Sequence, residues 1–336
     1  MSKIIFFCKD SKSNINLFEY YKQDVDSLKA LGHEVIIVNK FVEIPLDFDI
    51  LFVWWWTYAF YPVMLAKLLN KPIIITGTFN FKFPEGFDGI DYFSRPFWQR
   101  LLIKFSVKFA TLNLFVNKSE LTSCTNYFNL KSSRYFPHII SDDYLKESNI
   151  ENKKLELFNI AWSGKKNLIR KGIPELLEAV YILNKEGIEI KLTLAGKKGD
   201  GLDYLCSLIK KYNIGNLVSI VGEITREEKI RMMNSFAIFV QPSHYEGFGL
   251  AMAEAMGCGA CIVTCDVGAV RDVVGDAGIY TVPGSSRDLA DKIKTLIEDE
   301  ELRIKLQTRA LERANNTFSY KKKLSTLDNY LKLLKK

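Results

Sequence analysis

The chain has 336 residues, 48% of them hydrophobic and 25% charged, with a formal net charge of +7. That composition excludes a disordered chain, and the length favours two domains of roughly 150 residues over a single core. The modest basic excess suits a phosphorylated ligand or an anionic membrane surface. Nucleic acid is not an expected partner, because no basic stripe interleaved with aromatics, zinc finger or RNA-binding signature occurs.

The first residues, MSKIIFFCKDSKSN, lack a leader's long apolar core and small-residue cleavage site. The six cysteines form no disulfide-like framework, so the expected compartment is a reducing cytoplasm. Further along, KIIFFC, HEVIIV, DILFVWW, KPIIIT and LNLFV read as strands, with a helix from Leu17 to Leu31 between the first two. The only long uncharged stretch, ILFVWWWTYAFYPVMLA between Asp49 and Lys67, is interrupted by Thr57 and Pro62. It reads as a buried strand, a loop and the start of a helix, not as a membrane span.

The polar stretch Ser148 to Lys154, SNIENKK, marks the expected domain boundary. Strands then resume: LELFNIAWSG, IEIKLTLAGKKG, LVSIVGEI, FAIFVQPS, ACIVTC and AGIYTV, with helices between them. Strand–helix alternation of this kind predicts an α/β fold of two doubly wound Rossmann-like domains with parallel sheets, residues 1–150 and 151–318, with function in a cleft between them. After Arg287 the pattern is helical, and the end, about 319–336, is expected to pack back on the first domain. Its lysines read as a solvated face with weak attraction to anionic lipid.

Two segments carry chemistry. In HYEGFGLAMAEAMGCG, His244 to Gly259, two glutamates stand in an otherwise apolar run. A strand tip followed by glycines and a helix N-terminus favours an anion, since the first-turn amides are unpaired and the backbone can approach closely. Glu254, about a turn into the helix, can accept from a vicinal diol such as ribose, and Glu246 faces whatever follows the phosphates. The same residues also read as a glycine turn before a helix whose glutamates meet water. In AWSGKKNLIRKGIPELLEAV, Lys165 and Lys171 flank one strand–loop–helix unit, which suits a diphosphate or is simply a solvated basic loop. His244 adjoins the first segment and either lines a site or is a polar loop residue. Cys258, Cys261 and Cys265 lack a fourth metal ligand and are expected to be small buried residues.

Taken together, SGKKNLIRKG, LTLAG, VGEI, PSHYEGFGLAMAEAMGCG and AGIYTVP resemble the nucleotide-sugar-binding domain of retaining glycosyltransferases of family 4, which have the two-domain GT-B fold; the likeness spans roughly Phe158 to Phe318. The resemblance implies that Glu254 binds the donor ribose and Glu246 the donor sugar. It puts the Gly249 and Leu250 amides on the diphosphate, counts Gly247, Phe248 and His244 among the donor-binding residues and makes Lys171 a phosphate ligand. Lys165 stands where the family has arginine, which keeps the charge but loses the bidentate fork. Retention of configuration, no metal and no cofactor besides the nucleotide diphosphate sugar are likewise implied.

The first half departs from the family. CKDSKSN replaces a glycine-rich loop, Thr78 stands where a histidine is usual, and PHIISDD replaces an Asn-Gly, which makes His138 a candidate catalytic residue facing the cleft. The expected activity is transfer of a hexose to a glycan or lipid-linked acceptor in surface-polysaccharide assembly, at the inner face of the membrane or free in the cytoplasm. A nucleotide-sugar epimerase and a non-catalytic sugar-nucleotide binder are the alternatives. A dehydrogenase is disfavoured, because no G-x-G-x-x-G follows the first strand.

Overall fold

The computed structural model describes residues 1–83, 89–146, 150 and 152–334, so the boundary stretch Ser148–Lys154 lies in part, at 148, 149 and 151, outside the described residues. The chain divides into two compact units, Met1–Ile139 with Tyr320–Lys336, and Ile140–Ser319. The second unit begins ahead of the polar stretch for a physical reason. Ile140 and Tyr144 are buried, and the Ile140 amide donates to the Phe318 carbonyl at 3.0 Å.

Each unit holds a six-stranded parallel sheet. In the first, β1 (Lys3–Phe7), β2 (Glu34–Val38), β3 (Ile50–Trp54), β4 (Ile73–Gly77), β5 (Leu112–Phe115) and β6 (Ser133–Tyr135) lie in the order β2-β1-β3-β4-β5-β6. Residues of β1, β3 and β4 enter two separate apolar clusters, one on each face of the sheet. Burial on both faces is why these strands read as unbroken apolar runs instead of alternating ones. β6 is the element that sequence reading misses: Ser-Arg-Tyr is three residues long, contains no apolar run and sits at the sheet edge. The expected helix over Leu17–Leu31 is two helices, Lys12–Leu17 and Glu19–Ala30, with Phe18 extended between them.

The last helix, Tyr320–Leu333, packs in the first unit through Leu327 and Leu331. Its lysines are not all solvated. Lys323 is buried, with its Nζ 2.6 Å from Asp24 Oδ1 and 3.1 Å from Gln23 Oε1. Trp54 Nε1 donates to the other Asp24 oxygen at 2.9 Å. The stretch KKK resembles a polar face, but the helical period turns its third lysine inward.

In the second unit β7 (Lys154–Ile160), β8 (Leu192–Ala195), β9 (Val218–Gly222), β10 (Phe236–Gln241), β11 (Cys261–Cys265) and β12 (Gly278–Thr281) take the order β12-β11-β10-β7-β8-β9. The winding direction reverses between β7 and β10, and that switch point is where the carboxyl-end loops diverge and leave room for a ligand. Among the described residues no helix is long and apolar enough to cross a membrane.

Lys323→Met leaves Asp24 buried without its cation and is expected to cost about 3–5 kcal/mol of stability. The double variant with Asp24→Asn should regain most of it. Chemical denaturation of the three proteins checks this, and a single variant as stable as the parent contradicts it.

Candidate functional site

The two segments singled out in the sequence meet at the β7/β10 switch point. After β7 the chain turns through Ser163 and Gly164 into a short helix, Lys165–Arg170, then Lys171 and Gly172, before the helix Ile173–Lys185. After β10 it runs through Ser243 to Gly249 into the helix Leu250–Gly257. The loops touch backbone to backbone. Gly172 has φ +69°, and a Cβ there would lie 2.1 Å from the Pro242 carbonyl oxygen. The His244 amide donates to the Arg170 carbonyl at 2.8 Å and ties the loops again.

This contact brings Lys171 onto Glu246. Its Nζ lies 2.6 Å from Glu246 Oε1, which also accepts from Gln241 Nε2 at 2.9 Å, Ser243 Oγ at 3.1 Å and Arg170 Nη1 at 3.3 Å. Four donors converge on one carboxylate oxygen, and among the described residues no hydrogen bond is made to the other. The loop before the helix starting at Val270 holds the Glu246 backbone, where Ala269 N donates to its carbonyl at 2.9 Å. A Cβ on Gly268 would lie 2.1 Å from that same oxygen. Burial acts to raise the Glu246 pKa, but Lys171 and Arg170 outweigh it and hold the carboxyl below its ordinary value. Burial is also the main force pushing Lys171 down, opposed by Glu246.

Glu254 is buried in the helix Leu250–Gly257 and forms an ion pair with Lys229, Nζ to Oε2 2.5 Å. The two ion pairs are neighbours, since the Lys229 charge adds to the repulsion felt at Lys171. Three cations and two carboxylates therefore share one region. No side chain caps the helix Leu250–Gly257, whose N-cap is Gly249. The Gly249 and Leu250 amides at its start are the ones expected to meet a diphosphate.

The other candidates have partners of their own. Lys165 opens its helix, with its amide on Asp200 at 2.9 Å and its ammonium over the Tyr204 ring, 5.2 Å from the centroid. His244 Nε2 is 2.9 Å from Glu175 Oε1. His138 belongs to the first unit, where it is buried, stacked on Trp54 with ring centroids 5.9 Å apart, and 3.3 Å from Gln23 Nε2 through Nδ1. Burial, helped by the Lys323 charge, pushes its pKa down to about 3. Cys258, Cys261 and Cys265 are buried, and among the described residues no three His, Cys, Asp or Glu side chains gather as a metal site.

Sequence reading missed Arg170 and Lys229. Arg170 is flagged only by standing beside Lys171. Lys229, in REEKIRMM, reads as a solvated helix residue, and nothing in its local pattern points to Glu254. A cavity of about 280 Å³ was also missed; it lies at the carboxyl ends of β7, β8 and β9, lined by Ala161, Leu194, Ala195, Leu202, Ile220 and Gly222 among others.

A family model described as glycosyl transferases group 1 matches residues 146–313, half of the chain. An Escherichia coli O-antigen chain mannosyltransferase B is 30% identical over 238 residues, 68% of this chain and 62% of that protein. A Campylobacter jejuni N,N'-diacetylbacillosaminyl-diphospho-undecaprenol alpha-1,3-N-acetylgalactosaminyltransferase is 27% identical over 278 residues, 77% and 69% of the two chains. Among solved structures, sucrose-phosphate synthase from Thermosynechococcus elongatus superposes with TM-score 0.78 at 16% identity over 99% of both chains. Anabaena HepE, in complex with UDP and glucose, gives 0.75 at 17% identity over 99% of this chain and 100% of that one. These likenesses show the fold, GT-B, in which each unit is one doubly wound parallel sheet.

The His138 ring makes a pH prediction. Its folded pKa of about 3 lies below the 6.5 of the unfolded chain, so the unfolded state binds more protons between these values and stability falls as pH drops below 6.5. At pH 5 the loss is about 2 kcal/mol. Denaturation curves from pH 7 to pH 5 should show this loss in the parent and not in His138→Phe; parallel pH profiles count against it.

Proposed function

We infer the function from one premise: the chain belongs to the glycosyl transferases group 1 family. On that premise it is a family 4 glycosyltransferase that moves a hexose from a nucleotide diphosphate sugar to a glycan or lipid-linked acceptor, with retention of configuration, in the building of cell-surface polysaccharide. The relatives named for O-antigen and diphospho-undecaprenol chemistry support that setting. HepE, holding UDP and glucose, supports the donor class.

The observation that carries the reading is the Glu246 carboxylate, held by Lys171, Arg170, Gln241 and Ser243 through one oxygen. A carboxylate kept ionised with its second oxygen uncommitted is suited to accept from sugar hydroxyls. As the anomeric carbon–oxygen bond breaks, charge collects on the departing diphosphate. Lys171, Arg170 and the first-turn amides beyond Gly249 are fixed donors for that charge, and they need no reorganisation as it develops. Glu254, with Lys229 beside it, takes the ribose diol. The 280 Å³ apolar cavity takes the flat base. Lys165 and His244 stand at the rim of the same loops, and side-chain cations supply the positive charge without a metal. His138, a neutral ring stacked on Trp54, has a structural role.

The test is acceptor-dependent release of nucleotide from a panel of donors, with chelator present. Donor binding with no release identifies a non-catalytic sugar-nucleotide binder instead. Glu254→Ala should weaken nucleotide binding about tenfold or more by calorimetry, as expected for loss of charged hydrogen bonds; unchanged affinity removes its assigned role. Glu246→Ala should mainly lower kcat, by about a hundredfold, with nucleotide affinity kept near that of the parent.

A further inference from the structure

The first unit contains a small polar pocket that the transfer reading leaves unused. It lies where β3 and β4 end, between the turn Trp55–Thr57, the segment Thr78–Asn80 and Arg95. Ligands of doubly wound sheets bind outside the carboxyl ends of the strands. Four polar side chains line this pocket, Thr57, Thr78, Asn80 and Arg95, and all four residues are half-buried. Among the described residues none of these side chains makes a hydrogen bond or an ion pair. A guanidinium carries five donors and no acceptor, and donors withdrawn from water cost free energy until they are met.

Nearby acids do not neutralise Arg95. Asp91 attracts it, but the Asp91 carboxylate already accepts from the Phe83 amide at 3.0 Å and the Ser94 amide at 2.8 Å. Glu85 and Asp88 lie outside the described residues. The buried Glu120 is spent on backbone, accepting from the Phe79 amide at 2.8 Å and the Asn80 amide at 2.6 Å. Those bonds fix the segment that carries Thr78 and Asn80. The Tyr92 amide donates to the Asn80 carbonyl at 2.8 Å and ties that segment to the one bearing Arg95.

The rim is strained. Trp55 has φ +75°, which bulky residues rarely adopt. Its indole donates to Tyr21 Oη at 2.9 Å and its amide to the Thr76 carbonyl at 3.0 Å. Such strain persists only where the surroundings over-determine it, and it gathers at ligand sites. Trp56 Nε1 is engaged by Asn113 at 2.8 Å, so the donors left for a ligand are the four uncommitted side chains. The pocket has a volume of about 40 Å³. One water needs about 10–15 Å³, which leaves room for about three oxygen-sized atoms.

We propose that this pocket binds one oxyanion, the carboxylate or phosphate group of a small acidic ligand. Arg95 meets its charge, and Thr57, Thr78 and Asn80 supply the flanking hydrogen bonds. The guanidinium selects that chemistry, because its fork matches an oxyanion and a neutral hydroxyl leaves its charge unmet. Binding here is independent of the transfer reading, since it is measured with no nucleotide sugar present.

The chain has five tryptophans, and fluorine labelling of the indoles gives each its own NMR signal. Trp55 and Trp56 line the pocket, whereas Trp162 follows β7 in the second unit. An anion taken up beside Lys171 is therefore read at a different signal. Inorganic phosphate and acetate are titrated at constant ionic strength, with sodium chloride and glycerol as controls. The Trp55 and Trp56 signals should shift saturably with one or both anions, at a Kd on the order of millimolar; the tighter anion identifies the group. Arg95→Gln should weaken binding about tenfold or more, and Arg95→Lys, which keeps the charge without the fork, should recover part of it. Thr78→Val removes a donor with little change of shape and should cost about two- to tenfold. It carries the test alone if Arg95→Gln does not melt as the parent does. Absence of a saturable shift overturns the proposal, as does equal affinity in parent and folded variants. A chloride response matching that of the anions, or glycerol binding as tightly, also overturns it.

Discussion

Glu246 sits where β7 and β10 part, buried, with a charge that the protein itself has to satisfy. An unpaired carboxylate there would be driven to its neutral form. The fold answers with two cations and two neutral donors, drawn from the β7 turn and from β10 and its following loop. The electrostatic demand of one side chain thereby fixes the relative position of two loops. The glycines follow from the same demand: loops close enough for Lys171 to reach Glu246 leave no space for a Cβ at Gly172 or Gly268. Removing a partner from such a pair costs about 3–5 kcal/mol, so the arrangement is rigid before any ligand arrives.

That rigidity bears on mechanism. A buried salt bridge is often no more stabilising than a well-packed apolar pair of similar volume. At this position its use is organisational. It keeps one carboxylate oxygen engaged and holds Lys171 against its own tendency, in a buried setting, to lose its proton. A site that must stabilise charge developing on a leaving group works best when its dipoles and cations are already in place. Glu254 with Lys229 repeats the device a short distance away, where the neighbouring lysine charges repel each other and are both anchored by acids.

What was legible in the sequence divides along physical lines. The parallel sheets were readable because strands buried on both faces must be apolar throughout, as in β1, β3 and β4. Glu246, Glu254 and Lys171 were readable because buried charge is conspicuous in an apolar or glycine-rich setting. Arg170 and Lys229 were not, because a basic residue on a helix looks the same whether it faces water or a carboxylate from another element. Lys323 is the same failure: nothing in KKK distinguishes the residue that Asp24 will meet, a partner about three hundred residues away in the chain. The domain boundary was misplaced because polarity was taken to mark it, whereas a contact does: Ile140 is bound to Phe318 and packs in the second unit.

The net charge of +7 also takes on a different meaning once it is placed in the fold. Of 46 basic residues, eight lie in segments 50–83 and 92–119, which hold none of the 39 acidic ones, so the rest of the chain is close to neutral. Around the switch point, lysines are offset by Glu246 and Glu254 and act over hydrogen-bond distances, where salt screens little because the groups are buried. On the helices of the first unit, lysines such as Lys104 and Lys108 are exposed and uncompensated, and their field extends only about 8 Å at physiological ionic strength. The same residue type thus stands in two electrostatic settings, and the presence or absence of a nearby carboxylate distinguishes them.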